Sequence, residues 1–241
     1  GLFLCNARSK STKFIELASD GPMNIEDIHI TEDNKVIVCG YDKRLFIIDH
    51  DSIKTVEIPG LKSTNQTTRI IPYGKKLFIC HFNGGVLYDI ENDQFFNKIE
   101  NFNLDSLFTG YTLTSFLETK NNDIYIGTDG NGLFHLDLSE NKVHQYAASN
   151  RLLNNTIHDL TLDQNQNIWV STNQGITVFE AKTGRTLYFD RSDGISSNQF
   201  SINSAMVGKK GNLFFGTVDG LTFVNPKEIT IDSTELPVFI D

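Results

Sequence analysis

The stretch Asn167-Ile168-Trp169-Val170-Ser171-Thr172-Asn173-Gln174-Gly175-Ile176-Thr177-Val178-Phe179 contains the pattern that decides the fold. A short run of β-branched and aromatic residues ends on a small residue, Ser171. A polar turn holding Gly175 then leads into a second run of the same kind. Such runs favour strands, and the glycine suits a turn that needs a positive φ or a close backbone approach. Upstream, Ile157-His158-Asp159-Leu160-Thr161-Leu162 joins the first run through the polar turn 163–167, and downstream residues 185–189 follow the turn 181–184. Four short strands and three tight turns thus fit into about 45 residues, the size of one repeat.

The same plan recurs at 36–49, 77–90, 124–137 and 213–225. Its small anchors Cys39, Cys80, Gly127, Ser171 and Gly216 lie 41, 47, 44 and 45 residues apart. Turn glycines follow at Gly85, Gly132, Gly175 and Gly220, while Asp42-Lys43-Arg44 takes that place in the first repeat. No long window shows apolar residues at i, i+3, i+4 and i+7, so the chain reads as nearly all β. Four antiparallel strands repeating every 40 to 50 residues are the signature of a propeller blade, whose sheet faces are buried against its neighbours.

The sequence therefore predicts an all-β propeller of four-stranded antiparallel blades, about five of them, as a fragment of a larger propeller. A partial first blade spans 1–17, and blades follow near 25–58, 67–99, 112–146, 157–189 and 200–225. Gly1-Leu2-Phe3-Leu4 matches Gly132-Leu133-Phe134-His135, which places the start of the chain inside a repeat. Residues 226–241, bracketed by Pro226 and Pro237, read as an exit linker and the first strand of a following domain. Phe46, Phe78, Phe134, Phe179, Phe214 and Phe223 recur at strand positions and are assigned to blade-to-blade packing, with Trp169 in the core.

Charge and composition narrow the function. With 21 basic against 30 acidic residues, a net charge of −9 and no basic run, the surface is not built to neutralise nucleic acid or anionic lipid. The longest apolar stretches are strand-sized, short of the roughly 20 residues a membrane helix needs. Cys5, Cys39 and Cys80 show no C-x-x-C spacing and read as small buried residues. The six histidines occupy differing repeat positions, the six arginines are scattered, and no two carboxylates are expected at matching inner positions. No catalytic residue, metal site or cofactor is predicted.

Several stretches resemble the regulator propeller repeats of bacterial hybrid two-component sensor histidine kinases. These are Ile157-His158-Asp159-Leu160 with residues 167–176, and Asp193-Gly194-Ile195-Ser196-Ser197-Asn198-Gln199-Phe200 with Gly211-Asn212-Leu213-Phe214-Phe215-Gly216 and Gly220-Leu221. The latter block resembles the last blade of such sensors, and Leu236-Pro237-Val238-Phe239-Ile240-Asp241 resembles the opening strand of the Ig-like domain that follows. The resemblance implies a periplasmic sensor segment of a membrane-anchored receptor that passes a glycan-derived signal to a kinase outside this chain. Its implied partners are an oligosaccharide, the remaining blades and the Ig-like domain.

In antiparallel blades the turn between strands two and three shares a face with the connection from strand four to the next blade, and that face is the expected binding surface. It should carry Asp129, Asn131, Asn154, Asn155, Asn173, Gln174, Asn198, Gln199 and Asp219. Their amides and carboxylates suit sugar hydroxyls, although Asn, Asp and Gly also satisfy tight turns by themselves. Arg69 and Arg151 are possible clamps on acidic sugars. Two other classes stay open: a propeller glycosidase or lyase, and a protein-interaction propeller. A set of blades without neighbours would expose apolar faces, so either self-association is expected or closure into a smaller ring with residues 1–17 completing the last blade.

Overall fold

The computed structural model describes residues 1–6, 8–17, 24–61 and 66–229. The Ig-like strand expected at 236–241 lies outside them. The chain is an all-β propeller. Its blades one to four are four-stranded antiparallel sheets in simple sequence order, built as follows. Blade one holds Ile25–Ile30, Val36–Gly40, Arg44–Asp49 and Ser52–Glu57, and blade two Thr67–Tyr73, Lys76–His81, Gly84–Asp89 and Gln94–Phe96. Blade three holds Leu113–Glu118, Ile124–Thr128, Leu133–Asp137 and Lys142–Tyr146, and blade four Ile157–Leu162, Ile168–Thr172, Gly175–Phe179 and Thr186–Phe189. The last blade has three described strands, Phe200–Val207, Leu213–Thr217 and Gly220–Val224, and a hairpin of Leu2–Asn6 with Ser11–Ile15 precedes blade one.

Alternation explains why these sheets stack. Successive side chains leave a strand on opposite faces, so each blade contributes one apolar set to the blade before it and another to the blade after it. Leu77, Ile79 and Tyr88 of blade two pack with Ile37, Cys39 and Leu45 of blade one. Phe78, Cys80 and Leu87 pack instead with Phe116, Ile124 and Phe134 of blade three. Phe46, Phe78, Phe134, Phe179 and Trp169 are buried as expected, each worth about 1.5–3 kcal/mol or more in area removed from water. Phe223 departs from that expectation and is 55% exposed, because no further sheet covers its face among the described residues.

The first strands lie together around the axis, and each breaks register at a bulge: between Ile25 and Asp27, Thr67 and Arg69, Leu113 and Ser115, Ile157 and Asp159, and Phe200 and Ala205. A bulge turns the next side chain towards the neighbouring blade. The turns between strands two and three follow the glycine pattern with one correction. Gly132 and Gly175 take φ of 80° and 114°, and a Cβ there would lie 2.1 Å and 2.3 Å from the carbonyl oxygens of Tyr146 and Phe189. In blade two the positive φ falls on Gly84 rather than Gly85, where a Cβ would instead meet the Phe78 ring at 2.6 Å. In blade one Asp42 takes over the glycine's place by accepting from Arg44 Nε at 2.8 Å and Nη2 at 2.6 Å.

The hairpin does not complete the last blade. Among the described residues its strands pair only with each other, and Ile15 and Leu17 pack on Val38, Phe46 and Ile48 of blade one. Cys39 and Cys80 are buried free thiols, and burial pushes the Cys39 thiol up to about 12. Cys5, by contrast, is exposed on the hairpin.

Candidate functional site

The face built from the turns between strands two and three, and from the connections between blades, is a repeated construction. Thr128, Thr172 and Thr217, each following a small anchor, donate their hydroxyls to the carbonyls of Gly132, Gly175 and Gly220 at 2.7, 2.9 and 3.2 Å and close the turns. The Gly132 and Gly175 N–H groups donate to the carbonyls of Asn155 and Asn198, both at 2.8 Å, and tie each turn to the next connection. Within the connections, Asn155 Oδ1 accepts from Ala148 N and Asn198 Oδ1 from Arg191 N, both at 2.7 Å. Leu153 N and Ser196 N donate to Thr177 and Thr222 at 3.2 and 3.0 Å. These equivalent bonds fix the loops of blades three to five before any ligand arrives.

The nine candidate residues divide into two groups on this scaffold. Asn154, Asn155 and Asn198 direct their side-chain oxygens at loop N–H groups, with Asn154 accepting from Thr156 N at 2.8 Å. Asn173 Oδ1 lies 2.7 Å from His158 Nε2, and Asp129 accepts from the Thr156 hydroxyl at 3.2 Å. Asn131, Gln174, Gln199 and Asp219 keep side chains without a hydrogen-bond partner among the described residues, and the last three are exposed. The face thus presents free amide and carboxylate groups beside asparagines already bonded to the loops.

Neither arginine is a free clamp. Arg69 pairs with Asp159 across the axis; burial opposes the guanidinium's charge, and the Asp159 carboxylate more than offsets it. Arg151 donates to the Thr186 hydroxyl and the Gly184 carbonyl, each at 2.6 Å through Nη2, with its guanidinium 5.0 Å from the centre of the Phe179 ring.

Sequence reasoning missed that Asp27 and Asp159 do occupy one repeat position, just after the bulge. Asp27 accepts from Ile28 N and from Ile70 N of the next blade at 2.8 and 2.9 Å. Asp159 likewise accepts from Leu160 N and Ala205 N, both at 2.8 Å. These carboxylates join adjacent blades, each accepting from its own strand and from the strand alongside. The recurring Ile25-Glu26-Asp27-Ile28 and Ile157-His158-Asp159-Leu160 was the signal for them. Among the described residues no group of three or more His, Cys, Asp or Glu is placed to hold a metal ion. No described helix is long and apolar enough to cross a membrane.

Residues 151–174 match the two component regulator propeller family. The matched repeat begins at Arg151 and ends in the turn of blade four, and so includes Asn154, Asn155, Asp159 and Asn173. The chain is 28% identical over 79 residues to Histidine kinase P4 of Formosa agariphila, a match over 33% of this chain and 6% of that protein. Its fold is similar to a structure described as the extracellular domain of a hybrid two component system from B. thetaiotaomicron. The TM-score is 0.78 and the identity 24%, with 98% of this chain and 32% of that one covered. A virginiamycin B lyase from Staphylococcus aureus shares the propeller at TM-score 0.58 and 14% identity, over 84% of this chain and 67% of the lyase. The chain spans a small part of the first two relatives.

Proposed function

We propose that this chain is an extracytoplasmic sensor segment of a two-component receptor, which recognises a glycan-derived ligand or relays its binding to a kinase elsewhere in the receptor. The observation that carries this reading is the match to the regulator propeller repeat at 151–174, which spans the connection and turn of blade four on the candidate face. Loops bonded internally pay little ordering entropy on binding. Asp129, Asn131, Asn173, Gln174, Gln199 and Asp219 are the proposed ligand contacts, while Asn154, Asn155 and Asn198 hold the loops that present them. The periplasm is the proposed location, within a membrane-anchored parent whose other blades and Ig-like domain are its partners.

The uncovered apolar residues support a larger assembly. Ile202, Met206, Leu221 and Phe223 of the last blade, and Phe3 and Phe14 of the hairpin, are all more than half exposed. These are blade-packing positions, and neighbouring blades or a second copy would cover them. The segment is proposed to be non-catalytic.

Thermal unfolding of this chain and of the longer receptor ectodomain, across a panel of oligosaccharides, tests the reading. A ligand at a hundred times its Kd should stabilise the folded state by about 2.7 kcal/mol. Stabilisation of both proteins without turnover is expected. A rise in the longer protein alone would make this segment a relay, and turnover of any sugar would overturn the non-catalytic assignment.

A further inference from the structure

Blade two carries a second feature outside the nine candidate positions. Seventeen positions separate Phe96 from Leu113, against eleven from Tyr146 to Ile157 and from Phe189 to Phe200. The additional chain folds into a small hairpin, Lys98–Ile99 with Phe102–Asn103, followed by the short helix Leu104–Phe108. Phe102, Leu104 and Phe108 anchor this insertion in the core between blades two and three. Beside it lies a cavity of about 610 Å3, lined in part by His81, Asn83, Lys76, Phe96, Lys98 and Asp105. That volume falls within the about 300–1,000 Å3 usual for small-ligand sites.

The polar groups here range from the buried His81 to the exposed Asn83, Lys98 and Asp105. His81 is only 7% exposed, and its Nδ1 accepts from Asn83 N at 3.2 Å, which leaves the proton on Nε2. Nε2–H has no partner among the described residues. Burial lowers the His81 pKa to about 4, so at neutral pH the ring is an uncharged donor. Asn83 Oδ1 is occupied by Gly110 N at 2.9 Å, and its amide N–H groups face no described partner. Neither Lys76 nor Lys98 forms a close salt bridge among the described residues; the Lys76 ammonium sits 4.1 Å above the Phe96 ring and lies across the strand pair from the Asp89 carboxylate, whose pKa it helps to lower. Two ammonium groups at one cavity are notable in a chain of net charge −9. The one carboxylate in the group, Asp105, accepts from Asn97 Nδ2 at 2.8 Å.

From this juxtaposition we infer that the cavity beside the insertion is a binding site for an acidic oligosaccharide, with sugar carboxylates paired to Lys76 and Lys98 and ring oxygens accepting from His81 and Asn83. The inference rests on the glycan-sensing reading and names the ligand class and a second site for it. Exposed lysines give modest energy individually, and the His81 donor adds one neutral hydrogen bond.

Calorimetric titration with a uronic-acid trisaccharide and with a neutral trisaccharide of matched length tests it. Saturable binding of the uronate, at least tenfold tighter than the neutral sugar, is expected. Lys98→Ala, an exposed change that leaves the fold intact, should weaken the uronate about threefold to tenfold, and His81→Phe by about tenfold. The double substitution Gln174→Ala with Asp219→Ala removes proposed contacts on the other face and so reports binding there. Uronate binding that ignores Lys98→Ala but is lost on the double substitution would overturn the site while sparing the sensor reading. Equal binding of the neutral sugar would overturn the acidic specificity, and binding of no sugar by this chain or the longer ectodomain would overturn both readings.

Discussion

Blade four and the last blade are written in the same pattern of residue types, yet they end in different environments. The middle strands of blade four, Ile168–Thr172 and Gly175–Phe179, are buried at every position. In the last blade Leu213–Thr217 alternates between buried and half-buried, while Gly220–Val224 buries only Thr222, with Leu221 and Phe223 60% and 55% exposed. The repeat sets strand, turn and register within a blade; burial comes from the blade alongside. In a propeller, core residues are therefore assigned by neighbours as much as by their own pattern.

The sharpest way to break this comparison is at the axis. Asp159→Ala leaves Arg69 buried without its partner and strips acceptors from Leu160 N and Ala205 N, and should cost about 3–5 kcal/mol in urea unfolding. A loss below about 1 kcal/mol would show that the blades do not depend on this link. Trp169→Ala, which opens a cavity against Phe215, should cost about 3–5 kcal/mol. Phe223→Ala on the uncovered face should stay within about 0.5 kcal/mol. Equal losses at these two sites would mean that the last blade is covered in solution.

A pH prediction follows at blade two. The folded-state pKa of His81 is depressed to about 4 from the ordinary 6.5, so the unfolded chain binds the proton first. The stabilisation from keeping the ring neutral is complete above about 6.5 and is lost as pH falls towards 4, by up to about 3 kcal/mol. His81→Phe should flatten that part of the stability profile, and an unchanged slope would place the titration elsewhere. The smallest effect concerns the loop asparagines. Asn155→Ala and Asn198→Ala each remove one equivalent bond and should cost about 1 kcal/mol apiece, the same in a covered blade as in an uncovered one.

Much of this was legible in the sequence. The small anchors and turn glycines marked four-stranded repeats because each feature is local: alternation within a strand, and a positive φ within a turn. Where two glycines adjoin, as at Gly84 and Gly85, the sequence could not say which takes the turn and which the close approach to Phe78. The partner of Asp159 could not be read either, since Arg69 lies 90 residues away and meets it only when the blades close around the axis. The insertion had left a trace in the 47-residue spacing between Cys80 and Gly127, the longest of the four. The free side chains of Gln174, Gln199 and Asp219 were separable from the loop-bonding asparagines only once the connections were seen to bond themselves.

Hydrogen exchange measured on this chain alone and within the longer receptor ectodomain tests the central claim most directly, that these blades are part of a larger sensor propeller. The account predicts that Gly220–Val224 and Leu2–Asn6 gain strong protection in the longer protein, while Ile168–Thr172 of blade four exchanges equally slowly in both. Identical exchange at the end strands in the two proteins would contradict it.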